Sequence, residues 1–177
     1  MSKCRSKKKL GLGFLGIFML VMAFCIPAAA GVAEEDGKYE VYPTPQEYTN
    51  ETGTTVLTDQ VDVTYGESID SYTQKRVEDT LAVLDLEKSA APSNDHTKLI
   101  VGVYGEDTAY DAQLGAQDFF TGAVAGLTST ERFDKHILWI SNGTIVILGE
   151  NTDAAFYGVT TLKHIFEQLN GKEVNNM

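Results

Sequence analysis

Both cysteines of the 177-residue sequence, Cys4 and Cys25, fall within its first thirty residues, and none follows. Downstream of residue 30 this excludes disulfides, thiolate nucleophiles and thiolate metal sites, so that part must be held by an ordinary hydrophobic core. Basic residues are also scarce. Five of the 14 Lys and Arg lie in the first thirty residues, leaving nine against 25 acidic residues, a net charge of −16. Such a field repels nucleic acid and anionic membrane surfaces, so neither is expected as a partner. Lys75-Arg76 is the one adjacent basic pair beyond the leader. There is no H-E-x-x-H, no G-x-S-x-G, no Asp-Asp and no Asp-Glu dipeptide. The zinc-protease and serine-hydrolase signatures are therefore missing.

What is present begins with a leader. Lys3, Arg5, Lys7, Lys8 and Lys9 form a positive n-region, Leu10–Ile26 an apolar run, and Ala28-Ala29-Ala30 a small-residue cleavage site. Residues 1–30 thus read as a secretory signal peptide, which makes the remainder secreted and free of the membrane after cleavage. Cys25 follows the bulky Phe24, which does not suit lipid attachment. Residues 31–38 are acidic and small and read as a flexible lead-in. About 145 residues remain, enough for one core.

The clearest structural signal spans 136–170. Ile137 and Trp139, then Ile145 and Ile147, alternate on either side of Asn142-Gly143, the pattern of a β-hairpin whose two turn residues need positive φ. The period then lengthens, and Phe156, Val159, Leu162, Phe166 and Leu169 predict an amphipathic helix with Asp153 as N-cap and Gly171 at C′. Gly158 within it predicts close helix-to-sheet packing. Upstream, Thr54–Leu57 and Val61–Tyr65 read as short strands. Residues 71–84 form a helix capped by Ser68 or Asp70, with Val77, Leu81 and Leu84 inward. The apolar run Lys98–Tyr104 predicts a central strand buried on both faces. Pro43 and Pro45 confine Tyr39–Thr49 to an edge or an extended arm. Between 106 and 132 a helical turn over Thr108–Leu114 is expected, with Phe119 and Phe120 in the core. The fold class is α+β, a mixed β-sheet with two main helices packed on one face.

Chemistry has few candidates. The paired carboxylates Glu35-Asp36, Glu78-Asp79 and Glu106-Asp107 fall in a tail, on a helix's polar side and in a loop, where none is desolvated as acid/base work requires. His96, His136 and His164 lack metal-ligand spacing, and His164 beside an apolar helix face suits a hydrogen-bonded structural role. Glu150-Asn151-Thr152-Asp153 offers oxygen ligands for calcium, but helix capping explains it more simply. The sequons at Asn50 and Asn142 read as chance. No catalytic, cofactor-binding or metal-binding residue is assigned, and no cofactor is expected. A sugar-binding groove would draw on Tyr104, Tyr110 and Trp139, although Trp139 fits a core position as well.

Two segments, PTPQEYT (Pro43–Thr49) and ILGENTDAAFYGVTTLKHIF (Ile147–Phe166), resemble the bacterial-type N-terminal domain of β-N-acetylhexosaminidases, glycoside hydrolase families 20 and 84, and most nearly the clostridial hyaluronidase-type, O-GlcNAcase-like enzymes. The resemblance covers residues 39–174 and implies an accessory domain that precedes a catalytic barrel, with 175–177 starting a truncated linker to it. In that family the catalytic Asp-Asp or Asp-Glu pair comes from the barrel, and this sequence reaches Met177 without one. The resemblance thus implies a non-catalytic domain, a fragment of a secreted glycosidase acting on N-acetylglucosaminides or hyaluronan-type glycans, with the barrel as its partner. The alternative is a standalone carbohydrate- or cell-surface-binding module.

Overall fold

The computed structural model describes residues 38–106 and 134–177. Its elements are β1 (Thr54–Val56), β2 (Gln60–Tyr65), α1 (Ser71–Leu81) with a 3₁₀ turn at Ala82–Leu84, β3 (Glu87–Lys88), β4 (Thr97–Val103), β5 (His136–Ser141), β6 (Thr144–Gly149), α2 (Thr152–Phe166) and β7 (Glu173–Asn175). Five strands form one sheet in the order β3-β2-β4-β6-β5. All neighbours are parallel except β5 with β6, which makes the sheet mixed. β1 and β7 pair antiparallel in a separate two-stranded ribbon.

The hairpin forms as its turn chemistry dictates. Asn142 at φ 50° and Gly143 at φ 74° supply the two left-handed residues that match the twist of β5 and β6. β4 is central, as its apolar run requires. Leu99 and Val101 are fully buried on one face, and Ile100 packs on the other.

Period-2 alternation sorts the sheet into two apolar faces. Val61, Leu99, Val101, Ile140, Ile145 and Ile147 meet Val77 and Leu81 of α1 and Ala155, Val159, Leu162, Ile165 and Phe166 of α2 in one core. Both main helices therefore cover the same face. Trp139, Val146 and Leu148, with Ile137, Ile100 and Tyr104, form a second cluster on the opposite face.

Several local expectations shift. α2 is capped by Asn151, whose side chain accepts from Ala154 N at 2.8 Å, and Asp153 lies within the first turn at the positive end of the helix dipole. Phe156 is half-exposed, and the buried stripe runs instead through Ala155, Val159, Leu162 and Phe166. The helix ends at Phe166, so Gly171 is no C′ residue, and it has no positive φ. α1 is capped by Asp70, which accepts from Thr73 N at 2.7 Å. Gly158 faces the sheet as expected, because an added Cβ would come within 2.5 Å of Ile147 Cγ2.

The Tyr39–Thr49 arm joins no ladder. It is docked by Val41, 6% exposed, and by two hydrogen bonds between the Glu40 backbone and the Gln168 amide, both 2.8 Å. Residues 175–177, expected to begin a linker, are built into the fold. Asn175 is in β7, and Asn176 is 8% exposed and accepts from Thr55 Oγ1 at 2.8 Å. Met177 exchanges two 3.0 Å backbone hydrogen bonds with Ile140 along the outer side of β5. The helical turn over Thr108–Leu114, Phe119 and Phe120 lie outside the described residues.

Candidate functional site

The most connected polar cluster arises where two parallel strands place opposite charges side by side. Asp62 of β2 and Lys98 of β4 are register partners, and both point away from the helices. The Asp62 carboxylate accepts from Lys98 Nζ and from Ser93 N at 3.0 Å, and its Oδ1 lies 2.8 Å from His96 Nδ1. Lys98 Nζ also donates to Ser93 O. The Lys98 ammonium holds the Asp62 carboxyl well below the usual carboxylate range, against its partial desolvation and with help from His96 and Ser93. Three strand-end and loop segments are thereby tied at one point.

His96, Lys98, Thr144 and Asn142 line an open cleft of about 290 Å³, together with Val56 and Thr58. With His96 Nδ1 engaged by Asp62, Nε2 is the ring nitrogen left toward other groups. An Asp–His pair can orient an imidazole as a base, but that chemistry needs a nucleophile or a second acid in reach. The contacts made by this cluster are to backbone and to Lys98. Its evident work is structural, pinning the 89–96 loop to the sheet.

Because the folded Asp62 carboxyl is depressed, the stability it contributes is fully present above the unfolded carboxylate pKa of roughly 4. It is lost as pH falls below that value toward the folded pKa. Asp62→Asn is expected to be less stable than wild type near pH 7, with the gap narrowing steadily from about pH 5 to pH 2. Urea midpoints of both proteins across that range measure it, and a constant gap would contradict the role given to Asp62.

The other candidates are dispersed. Glu78 and Asp79 are exposed on α1, and Asp79 is paired with Lys75 one turn back, which lowers its pKa. Glu35, Asp36, Asp107 and Tyr110 lie outside the described residues, and Glu106 is exposed. His136 Nε2 is 3.1 Å from Thr161 Oγ1, and burial pushes its pKa down. His164 is half-buried on α2. Among the described residues no three or more His, Cys, Asp or Glu gather as a metal site. Asn151, between Glu150 and Asp153, caps α2, and the Glu150 backbone N–H donates to Lys135 O at 2.8 Å. Trp139 is 7% exposed and Tyr104 packs against its cluster, so these two do not open a groove.

An aromatic-lined groove exists elsewhere. An open depression of about 410 Å³ is walled by Tyr39, Tyr42, Tyr48, Lys38, Glu40 and Pro45 of the N-terminal arm. Tyr42 is 71% exposed. The other two are pinned: Tyr39 Oη accepts from Asn175 N at 2.9 Å, and Tyr48 Oη from Tyr39 N at 3.4 Å. The spacing of the tyrosines around Pro43 and Pro45 was the available signal, but which rings stay open depends on the docking of the arm.

A fold of this order, with catalytic chemistry assigned to none of its described clusters, gains its meaning from its relatives. The family model for glycosyl hydrolase family 20, domain 2, matches residues 38–177. The chain belongs to this family. This family 20 domain 2 is also similar to the solved structure of CpGH84D, at 31% identity and a TM-score of 0.64, over 78% of this chain and 23% of that one. It shares its fold with CpGH84B at 18% identity and a TM-score of 0.51, over 78% of this chain and 22% of that one. The chain thus spans less than a quarter of the length of either structure. No curated protein sequence matches it. Its mixed sheet and two-helix layer are those of an N-terminal domain of the family 20 and 84 type, a domain of a glycoside hydrolase.

Proposed function

We infer that this family 20 domain 2 is a non-catalytic accessory domain of a secreted glycoside hydrolase acting on N-acetylglucosaminides or hyaluronan-type glycans. It packs against the catalytic barrel and stabilises it. The observation behind this reading is the 31% identity to CpGH84D, spread over 78% of this chain but only 23% of that one. A domain that is so small a share of a larger chain commonly meets what remains through an inter-domain interface of about 600–1,500 Å². The leader at residues 1–30 supports export, and the acidic balance after it supports neither nucleic acid nor an anionic membrane as partner.

Adding the purified chain to a family 84 catalytic barrel prepared without its N-terminal domain tests the packing role. A partner that binds only the folded barrel raises its melting temperature in a concentration-dependent way. A rise of several degrees is expected, and a barrel whose melting is indifferent to saturating chain would refute the role.

One observation favours a second reading, a carbohydrate-binding module working without a barrel: the tyrosine-lined groove of the arm, with Tyr42 71% exposed as a stacking platform. Saturable sugar binding abolished by Tyr42→Ala would establish it.

A further inference from the structure

Among the described residues, four large hydrophobic side chains are strongly exposed: Tyr42, Val56, Tyr72 and Tyr157. Single exposed apolar residues mean little on any protein surface. Tyr72 and Tyr157 differ from the others because each stands beside a linked pair of side chains that spans the two helices. Tyr72, 79% exposed, stands in the first turn of α1, and Arg76 follows it at i+4 on the same side of that helix. The Arg76 guanidinium lies over the ring of Phe156 on α2, 4.9 Å from its centroid. Phe156 in turn meets Tyr157, 47% exposed, edge to face at 6.1 Å. The N-terminal ends of the two helices lie side by side, with Thr152 Oγ1 3.5 Å from Ser68 O. The outcome is one aromatic-and-arginine ridge across both helices, on the side of the helix layer away from the sheet.

Its composition is that of a binding hot spot. Tyr, Phe and Arg are enriched at the buried centres of interfaces, ringed by polar residues that contribute little. Lys75, Glu78 and Asp79 supply such a rim, all of them exposed. Two other boundaries among the described residues are already occupied. Trp139, Val146 and Leu148 on the opposite sheet face are 7%, 1% and 1% exposed, and Met177 pairs along the outer side of β5.

We propose that the Tyr72–Arg76–Phe156–Tyr157 ridge is the surface on which the remainder of the glycoside hydrolase polypeptide docks. The occupant is argued from a relative: in CpGH84D the matching region is 23% of a longer chain, so there the rest of the polypeptide is the partner at hand for such an exposed face. This rests on the accessory-domain reading above and adds where contact is made. Tyr72 and Tyr157 bury their rings against that partner, while Arg76, already held over the Phe156 ring, donates to it.

The test titrates the full chain, and the double variant Tyr72→Ser/Tyr157→Ser, against CpGH84D lacking the quarter of its chain that this one matches. Val56→Ser is the control, since Val56 is 67% exposed and stands on β1, outside the ridge. Wild type and Val56→Ser should bind alike, and the double variant at least ~10-fold more weakly, with its urea midpoint unchanged. Equal binding by the double variant would overturn the docking face while leaving the accessory role intact. Failure of every form to bind would overturn both. Self-association of the chain that the double variant abolishes would assign the ridge to a second copy instead, and would also overturn the proposal.

Discussion

Gly149→Ala is expected to destabilise this family 20 domain by about 3 kcal/mol or more, enough to remove a large part of a typical domain's margin. Gly149 ends β6 just before the cap of α2. A Cβ there would fall 2.3 Å from Ala155 N, 2.5 Å from Asn151 O and 2.9 Å from Ala154 C. All three are backbone atoms of the first turn, held by the Asn151 cap and by the Ala155 N to Asn151 O bond at 3.0 Å, so no rotamer change relieves the clash. The helix must move off the strand that delivers it, and the buried Ala154, Ala155 and Gly158 move with it. Gly171→Ala is the matched control, since nothing lies within 4 Å of its added Cβ. Its effect should stay within ~0.5 kcal/mol. Urea midpoints of the two variants measure the contrast, and a Gly149→Ala midpoint within error of wild type would show that the strand-to-helix junction is looser than described.

Phe166→Ala carries the second large effect, a loss of about 3–5 kcal/mol. Phe166 is 1% exposed and is the largest of the fully buried side chains. It closes α2 within the core that gathers Val61, Leu99 and Val77, so truncation removes apolar contact from the sheet and from both helices at once. Phe166→Leu should recover most of the loss, to within ~1.5 kcal/mol of wild type, because it keeps the position apolar and most of the volume filled. Phe156→Ala, ten residues earlier and half-exposed, should cost clearly less. Equal costs at 156 and 166 would mean that the inward face of α2 has been assigned wrongly.

The contrast between these two phenylalanines marks the limit of what periodicity told. Val159, Leu162 and Phe166 follow the helical repeat and are buried, so the helix and its inward face were legible. Phe156 fits the same repeat, yet Ala155 takes the inward place and Phe156 is left to stack under Arg76. Small residues such as Ala154, Ala155 and Gly158 give no strong apolar signal, although they are where α2 approaches the sheet most closely. The hairpin was legible because Asn-Gly states its own backbone conformation. The cap was displaced by two residues because Asn151 and Asp153 are both good capping types, and only the Ala154 N bond decides between them.

β3 and β7 were invisible for a different reason. Two- and three-residue strands have no period of their own, and their pairing is fixed by residues 27 to more than 100 positions away. The same holds for the polar cluster. Asp62 and Lys98 become partners only through the register of β2 with β4, and His96 joins them because it precedes β4. The tyrosine groove needed the arm's docking on Gln168, and the helix ridge needed the contact between α1 and α2. Each juxtaposes side chains that are unremarkable in their own segments.

The central claim, an accessory domain that is silent by itself, is tested most directly by hydrolysis of a chromogenic N-acetylglucosaminide. The chain would be assayed alone, and then with a family 84 barrel that lacks its N-terminal domain. The account predicts no turnover by the chain alone and a more active or longer-lived barrel in its presence. Turnover by the chain alone would contradict it and return attention to the Asp62–His96 pair.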